Sequence, residues 1–246
     1  MKPQKTLLTL ALLASAAVTG TAQASLVDRG NGLLYDNVLN VTWLQDANYA
    51  KTSSYDADGQ MDWNAATTWA ANLDFGGYSD WRLATNTPVS GGASYNNGFS
   101  YNGTTDYAYN ITSPKSELAY MYNVNLGLKD YYNASGAYQA NFGVFGNGTS
   151  NGVNQNSFGQ ADVGLVKNLQ SDAYWSGAEY SPGSGGAWFF RTGDGFQDYD
   201  LIKDHQLYAW AVRPGDVAAV PVPAAFWLFG SGLMGLLGLR RRGNIG

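Results

Sequence analysis

Leu207-Tyr208-Ala209-Trp210-Ala211-Val212-Arg213 carries the pattern that decides the fold expected of this 246-residue sequence. Tyr208, Trp210 and Val212 recur at every second position, so an extended chain places all three on one face. Pro214-Gly215 ends the run. Working back, Tyr174-Trp175-Ser176-Gly177 and Ala187-Trp188-Phe189-Phe190-Arg191 are two further aromatic strand candidates. Near the start, Leu26 to Asp36 reads as a turn and a short strand. Val41-Thr42-Trp43-Leu44 is its hairpin partner, joined through Asp36-Asn37.

Two helices separate these strands. Asp62 is placed to cap the first, in which Trp63, Ala66, Ala70 and Leu73 form one apolar stripe and Gly76-Gly77 is the stop. On that stripe Trp63 reads as core. Gly77-Tyr78-Ser79-Asp80-Trp81-Arg82-Leu83-Ala84 is a tight turn into a strand. The second helix is predicted from Ser113-Pro114, with Leu118, Met121 and Tyr122 apolar and Gly127 as its end. Residues 89–112 and 129–160, rich in Gly, Asn, Ser and Tyr, read as long surface loops.

The two ends of the chain have a different character. Lys2 and Lys5 precede an apolar run from Leu7 to Val18, and Ala22-Gln23-Ala24 precedes Ser25. This predicts a signal peptide over residues 1–24, cut between Ala24 and Ser25 by signal peptidase. At the other end Val220-Pro221-Val222-Pro223 leads into Ala224 to Leu239 without a charge, and then to Arg240, Arg241 and Arg242. Sixteen residues make roughly 24 Å of helix, somewhat short of a bilayer core, and the arginines mark the cytoplasmic side.

This order of prolines, Trp-Leu-Phe-Gly-Ser-Gly-Leu and a basic end resembles the PEP-CTERM sorting signal of exported bacterial proteins. Val222 stands where that family has its glutamate. The resemblance implies recognition by an exosortase near Pro221 and Pro223, transient anchoring in the inner membrane, and a final place at the cell surface or outside the cell. It implies four parts: a signal peptide (1–24), a domain (25–215), a linker with the proline motif (216–223), and a transmembrane sorting helix with a basic end (224–242).

Composition narrows the function of the exported region. Residues 25–219 hold nine Lys and Arg against nineteen Asp and Glu, a formal charge of −10. No nucleic acid is expected as partner, because phosphate recognition needs a basic surface. The absence of cysteine excludes thiol catalysis, cysteine-ligated metals and disulfides. His205, the one histidine, stands in Lys203-Asp204-His205-Gln206 with no nucleophile-elbow motif, so no catalytic residue is assigned.

Thr42 to Ala47, Met61 to Leu73, Gly77 to Leu83, Tyr174 to Ser176 and Tyr208 to Arg213, taken in order, resemble the Lcl C-terminal domain family, which is similar to the C-type lectin-like fold. Ala84, where that family has proline after Arg-Leu, and the two long loop stretches depart from it. The resemblance implies an α+β domain: two helices, a small antiparallel sheet, and long loops on one side. It also implies a polysaccharide ligand, since a founding member of the family binds sulfated polysaccharides.

Two groups of residues are candidates for that contact. Tyr95, Tyr101, Tyr107, Tyr109, Tyr131 and Tyr132 offer flat rings with polar tips to the C–H faces of sugars; the alternative is that they cover the core or stiffen the loops. Asp56, Asp58 and Asp62 put carboxylates at alternate positions as in hard-cation loops, and Asp194, Asp198 and Asp200 form a second acidic turn, which would make a structural calcium ion the one cofactor. The first is no EF-hand, because Met61 and Thr67 stand where glycine and glutamate belong. The alternative is two solvated acidic turns. The expected function is that of an exported, exosortase-processed surface or matrix protein that binds extracellular polysaccharide without catalysis. Against it stand a structural matrix protein without a specific ligand and, as a further alternative, a hydrolase using His205.

Overall fold

The computed structural model describes residues 26–146, 149–150, 153–154, 159–181, 185–200 and 202–217. The expected signal peptide with its Ala24-Ser25 junction lies outside them. So does the sorting tail with Pro221, Pro223, Arg240, Arg241 and Arg242.

The chain is built mostly of strands. In order they are β1 (Leu26–Gly30), β2 (Leu33–Asp36), β3 (Val41–Leu44), β4 (Gln60–Met61), β5 (Arg82–Leu83), β6 (Phe99–Ser100), β7 (Tyr107–Ala108) and β8 (Thr149–Ser150). Then follow β9 (Val153–Asn154), β10 (Gln160–Val163), β11 (Val166–Gln170), β12 (Ala173–Glu179), β13 (Ala187–Arg191), β14 (Phe196–Asp200), β15 (Leu207–Tyr208) and β16 (Ala211–Pro214). Only short helices intervene: α1 (Tyr49–Thr52), α2 (Trp63–Ala71), and α3 (Glu117–Tyr120) running into a π-turn at Met121–Asn125. A five-stranded sheet has the order β1-β2-β3-β16-β5, a seven-stranded sheet the order β4-β15-β12-β13-β14-β7-β6, and β8-β9 and β10-β11 are separate ribbons.

This corrects the expected α+β lectin-like domain. Sheets, not two helices beside a small sheet, are the frame of the molecule. The reason lies in the stretches taken for loops. Residues 89–112 contribute β6 and β7, which pair parallel to each other and extend the large sheet beyond β14. Residues 129–160 contribute the β8–β9 ribbon and the start of β10. The second helix is also shorter than expected. Ser113 to Lys115 form a turn, and α3 starts at Glu117 because that side chain is held by Arg82 at 2.7 Å through both guanidinium nitrogens and by the Thr85 amide at 2.8 Å.

The segment 207–213 is not one strand. Leu207 and Tyr208 belong to the seven-stranded sheet, where Tyr208 lies beside Tyr174. Two residues later Ala211 to Pro214 sit in the five-stranded sheet, between β3 and β5. The chain crosses from sheet to sheet at Ala209-Trp210, and every residue from Tyr208 to Val212 is buried. Trp210 fills the crossing. Its indole donates to the Leu44 carbonyl at 2.7 Å, and its ring leans on Trp43 with centroids 4.7 Å apart. The core continues through Tyr174, Trp175 and Phe190. Each such side chain taken fully from water contributes about 2–3 kcal/mol.

Local chemistry explains the elements the sequence foretold. Asp36 turns the β2–β3 hairpin by accepting from the Val38 and Leu39 amides at 2.9 Å, and Asn40 takes the positive φ of 52° that closes it. Asp62 caps α2 through the Ala65 amide at 2.8 Å. The buried face of α2 is Ala66, Trp69 and Ala70. Trp63 is half-buried at the margin of the core, donating to the Ser176 carbonyl at 2.8 Å with the Lys203 ammonium 4.1 Å from its ring centroid.

Candidate functional site

The edge of the seven-stranded sheet formed by β14, β7 and β6 carries a continuous run of aromatic rings. Its short strands depend on side chains for their register. Asp106, fully buried, accepts from the Val89 amide at 2.7 Å and the Asn96 amide at 2.8 Å, which fastens the 88–97 loop to β7. Gln197 of β14 donates to the Asp106 carbonyl at 2.8 Å and accepts from Ser116. Asn110, at a φ of 58°, donates to the Tyr101 carbonyl at 2.8 Å and the Tyr132 carbonyl at 2.7 Å, tying the two long stretches together. Gly103 makes this approach feasible. At its φ of 69° a β-carbon would stand 2.1 Å from the Asn110 carbonyl oxygen.

On this frame the rings meet edge to face, as aromatic quadrupoles prefer. Phe99 contacts Tyr101 at 4.8 Å, Tyr107 packs on Phe196 at 5.3 Å, and Tyr109 on Phe196 at 4.8 Å. Tyr132 joins Tyr101 at 5.2 Å and Tyr131 at 4.6 Å, and Tyr131 reaches Tyr138 at 5.1 Å. In the other direction Tyr107 touches Tyr199 at 5.9 Å. Tyr199 stacks on Tyr180 at 4.1 Å, and Trp188 links this pair to Tyr95. All six tyrosines singled out in the sequence thus lie in one network.

Their exposure divides them. Tyr109 is 7% exposed and serves as floor, while Tyr95, Tyr107, Tyr131 and Tyr132 are half-buried. Tyr101 is 38% exposed, and Phe99 at 50% and Tyr138 at 58% present more surface still. Burial raises the phenol pKa of Tyr109, and that of Tyr95 and Tyr107, so these hydroxyls remain neutral. Phe99, Tyr180 and Tyr199 escaped the sequence reading, which sought tyrosines in loops. The alternation of Phe99 with Tyr101 was the available signal.

Beside the rings lies an open groove of about 780 Å³. Pro88, Ser94, Tyr95 and Asn97 form one wall, and Glu179 and Tyr180 stand on the other. Asn97 donates to the Tyr180 hydroxyl at 2.7 Å, and Tyr95 donates to the Asn86 carbonyl at 2.8 Å, so both walls are held. Beneath Tyr95, the Trp188 indole N–H and the Asn86 amide N–H are buried without a partner.

Below the rings sits Asp130. Its Oδ2 accepts from the Asn110 amide and its Oδ1 has no partner. Burial pushes its pKa up to about 8, against the opposing Asn110 hydrogen bond, and the neighbouring Asp194 pushes the same way.

The acidic residues considered for calcium are distributed as follows. Asp56 accepts from the Asp58 amide at 3.0 Å and the Gly59 amide at 2.7 Å, Asp58 accepts from Gln60 at 2.9 Å, and Asp62 is spent on its helix cap. Asp194 pairs with Arg191, and Asp198 accepts from the Tyr199 amide at 2.7 Å. The side chain of Asp200 lies outside the described residues. Among the described residues no three His, Cys, Asp or Glu side chains converge on a point suited to a metal ion.

Comparison with known proteins addresses the end of the chain. The PEP-CTERM protein-sorting motif matches residues 219–242. No curated protein and no solved structure matches. The chain therefore carries the sorting signal of proteins that are exported and sorted to the cell surface. It is a protein addressed to an exosortase. Among the described residues no helix is long and apolar enough to cross a membrane.

Proposed function

We propose that this chain is an exosortase-processed surface or matrix protein whose sheet edge binds extracellular polysaccharide without catalysis, after transient anchoring in the inner membrane. One observation carries the reading: rings from three separate stretches, 95–109, 131–138 and 180–199, form a single face whose exposed members are Phe99, Tyr101 and Tyr138. Sugar rings offer flat apolar C–H surfaces, and rigid aromatic side chains cover them at small entropic cost. The anchoring hydrogen bonds of Asp106 and Asn110 hold that face in place before any ligand arrives.

The test is co-sedimentation of the full chain, in mild detergent, with a panel of insoluble polysaccharides, with and without calcium. Binding that falls at least five-fold in a Phe99→Ala/Tyr101→Ala variant supports the proposal. Failure to bind any member refutes it. Concentration-dependent assembly unaffected by sugar would favour the structural matrix protein instead.

A further inference from the structure

We infer that the glycan taken by this face bears no carboxylate or sulfate, and that sugars carrying free amino groups bind more tightly than their neutral counterparts. The inference rests on the reading of the aromatic face as a glycan platform and adds the charge of its ligand.

Charge is unevenly shared here. The two sequence regions that build the face and groove, residues 88–142 and 174–204, contain Lys115, Lys129, Arg191 and Lys203 against eight carboxylates, of which Asp130 keeps its proton to about pH 8 and Glu117 pairs with Arg82. Two of these four cations are committed. Arg191 pairs with Asp194 and lies 4.8 Å above the Phe196 ring. Lys203 binds Glu179 at 2.7 Å and lies 4.1 Å from the Trp63 ring centroid. An acidic polymer would have to break one of these pairs or rely on the two lysines while facing Glu179 in the groove and Asp198 beside Tyr107 and Tyr199. Breaking either pair exchanges one partly exposed ion contact for another, with little net gain.

An ammonium group meets the opposite situation. The exposed faces of Phe99, Tyr101 and Tyr138 are regions of negative quadrupole potential. Asp198, beside Tyr107 and Tyr199 in the same ring network, adds to that field. In water-like surroundings, one unit charge about 6 Å from another changes affinity by about three-fold, and by more where the site is sheltered. A repeating amino sugar contacting two or three such positions is therefore favoured about ten-fold over the neutral chain, and the uronate disfavoured by a similar factor. Both differences shrink as salt is raised.

The experiment measures binding of the full chain in mild detergent to three soluble hexamers of one backbone: β-1,4-linked glucose, glucosamine and glucuronate. The Phe99→Ala/Tyr101→Ala variant is measured in parallel, its melting temperature showing that it folds. The expected order is glucosamine, then glucose, then glucuronate, with the glucosamine preference falling at least five-fold in the variant. Glucuronate binding best, and weakened in the variant, would overturn this inference while leaving the platform intact. Glucose binding as tightly as glucosamine would likewise overturn it. No binding at all, or glucosamine binding untouched by the variant, would sink both the inference and the platform beneath it.

Discussion

Replacing Asp130 by asparagine should flatten the dependence of stability on pH. In the unfolded chain this carboxyl loses its proton near pH 4, the ordinary value for aspartate. In the folded chain burial holds the proton until about pH 8. Between those limits the native state binds one proton more than the unfolded state, so stability falls as pH rises, by about 1.4 kcal/mol per pH unit. Integrated from pH 5 to pH 8, the loss is on the order of 3–4 kcal/mol, and it is complete above pH 8. Asparagine carries no such proton, yet it still offers an oxygen to the Asn110 amide. Gly195 presses so closely on Oδ1, where a β-carbon would stand 2.1 Å away, that the site has no room for the water a charge would need. Urea unfolding of wild type and Asp130→Asn, measured at pH 5, 6, 7 and 8, reads the slopes directly. The variant should lose about 3 kcal/mol less across this range and melt about 6–12 °C above wild type at pH 8. Asp172, pushed up to about 6 by burial, leaves a smaller residual slope in both proteins below pH 6. Equal slopes, or a variant less stable than wild type at pH 8, would refute the reasoning.

Other outcomes follow from the same structure. Trp210→Ala should cost about 4 kcal/mol in denaturant unfolding, since it empties the crossing between the sheets. Gly103→Ala combines a positive φ with a 2.1 Å approach to backbone, and should cost at least about 2 kcal/mol while loosening the Tyr101–Asn110 connection, read as faster amide exchange at Asn110. Glu117→Gln leaves the Arg82 guanidinium without its carboxylate and should lower stability by about 2–4 kcal/mol, checked by the thermal midpoint. Phe99→Ala and Tyr101→Ala, both at exposed positions, should change unfolding free energy by less than about 1 kcal/mol each, so that any loss of glycan binding reports the face itself.

Elements whose cause is local were legible in the sequence. The Asp36 turn and the Asp62 cap use groups within three residues of one another, and the Val41–Leu44 strand pairs with Leu33–Asp36 directly across that turn. Elements whose cause is distant were not. A period of two in Leu207 to Arg213 is the same whether the strand stays in one sheet or changes sheets. Only the partners, Tyr174 for Tyr208 and Trp43 for Val212, separate those cases. The start of α3 is set by Arg82, 35 residues upstream of Glu117. β6 and β7 are two-residue strands in a Gly-, Asn- and Tyr-rich stretch, joined to the large sheet where β7 pairs with β14 some ninety positions later. The lectin-like resemblance, carried by scattered aromatic pieces, implied an architecture that the sheets overturn. For the face, a count of loop tyrosines found its members. The exposed Phe99, Tyr180 just past the end of β12, and Tyr199 on β14 needed the fold.

Among the described residues the strand nearest the sorting tail is β16, an interior strand of its sheet, with β3 on one side and the edge strand β5 on the other. Arg213 adds a two-pronged link to Asp80 at 2.7 and 3.0 Å, and Arg29 closes on Asp216 at the point where the strand ends. Any tug from downstream would enter the domain through this doubly paired strand, not through a dangling edge. A pull applied at Asp216 would thus meet two ladders and two guanidinium clasps before it reached the core.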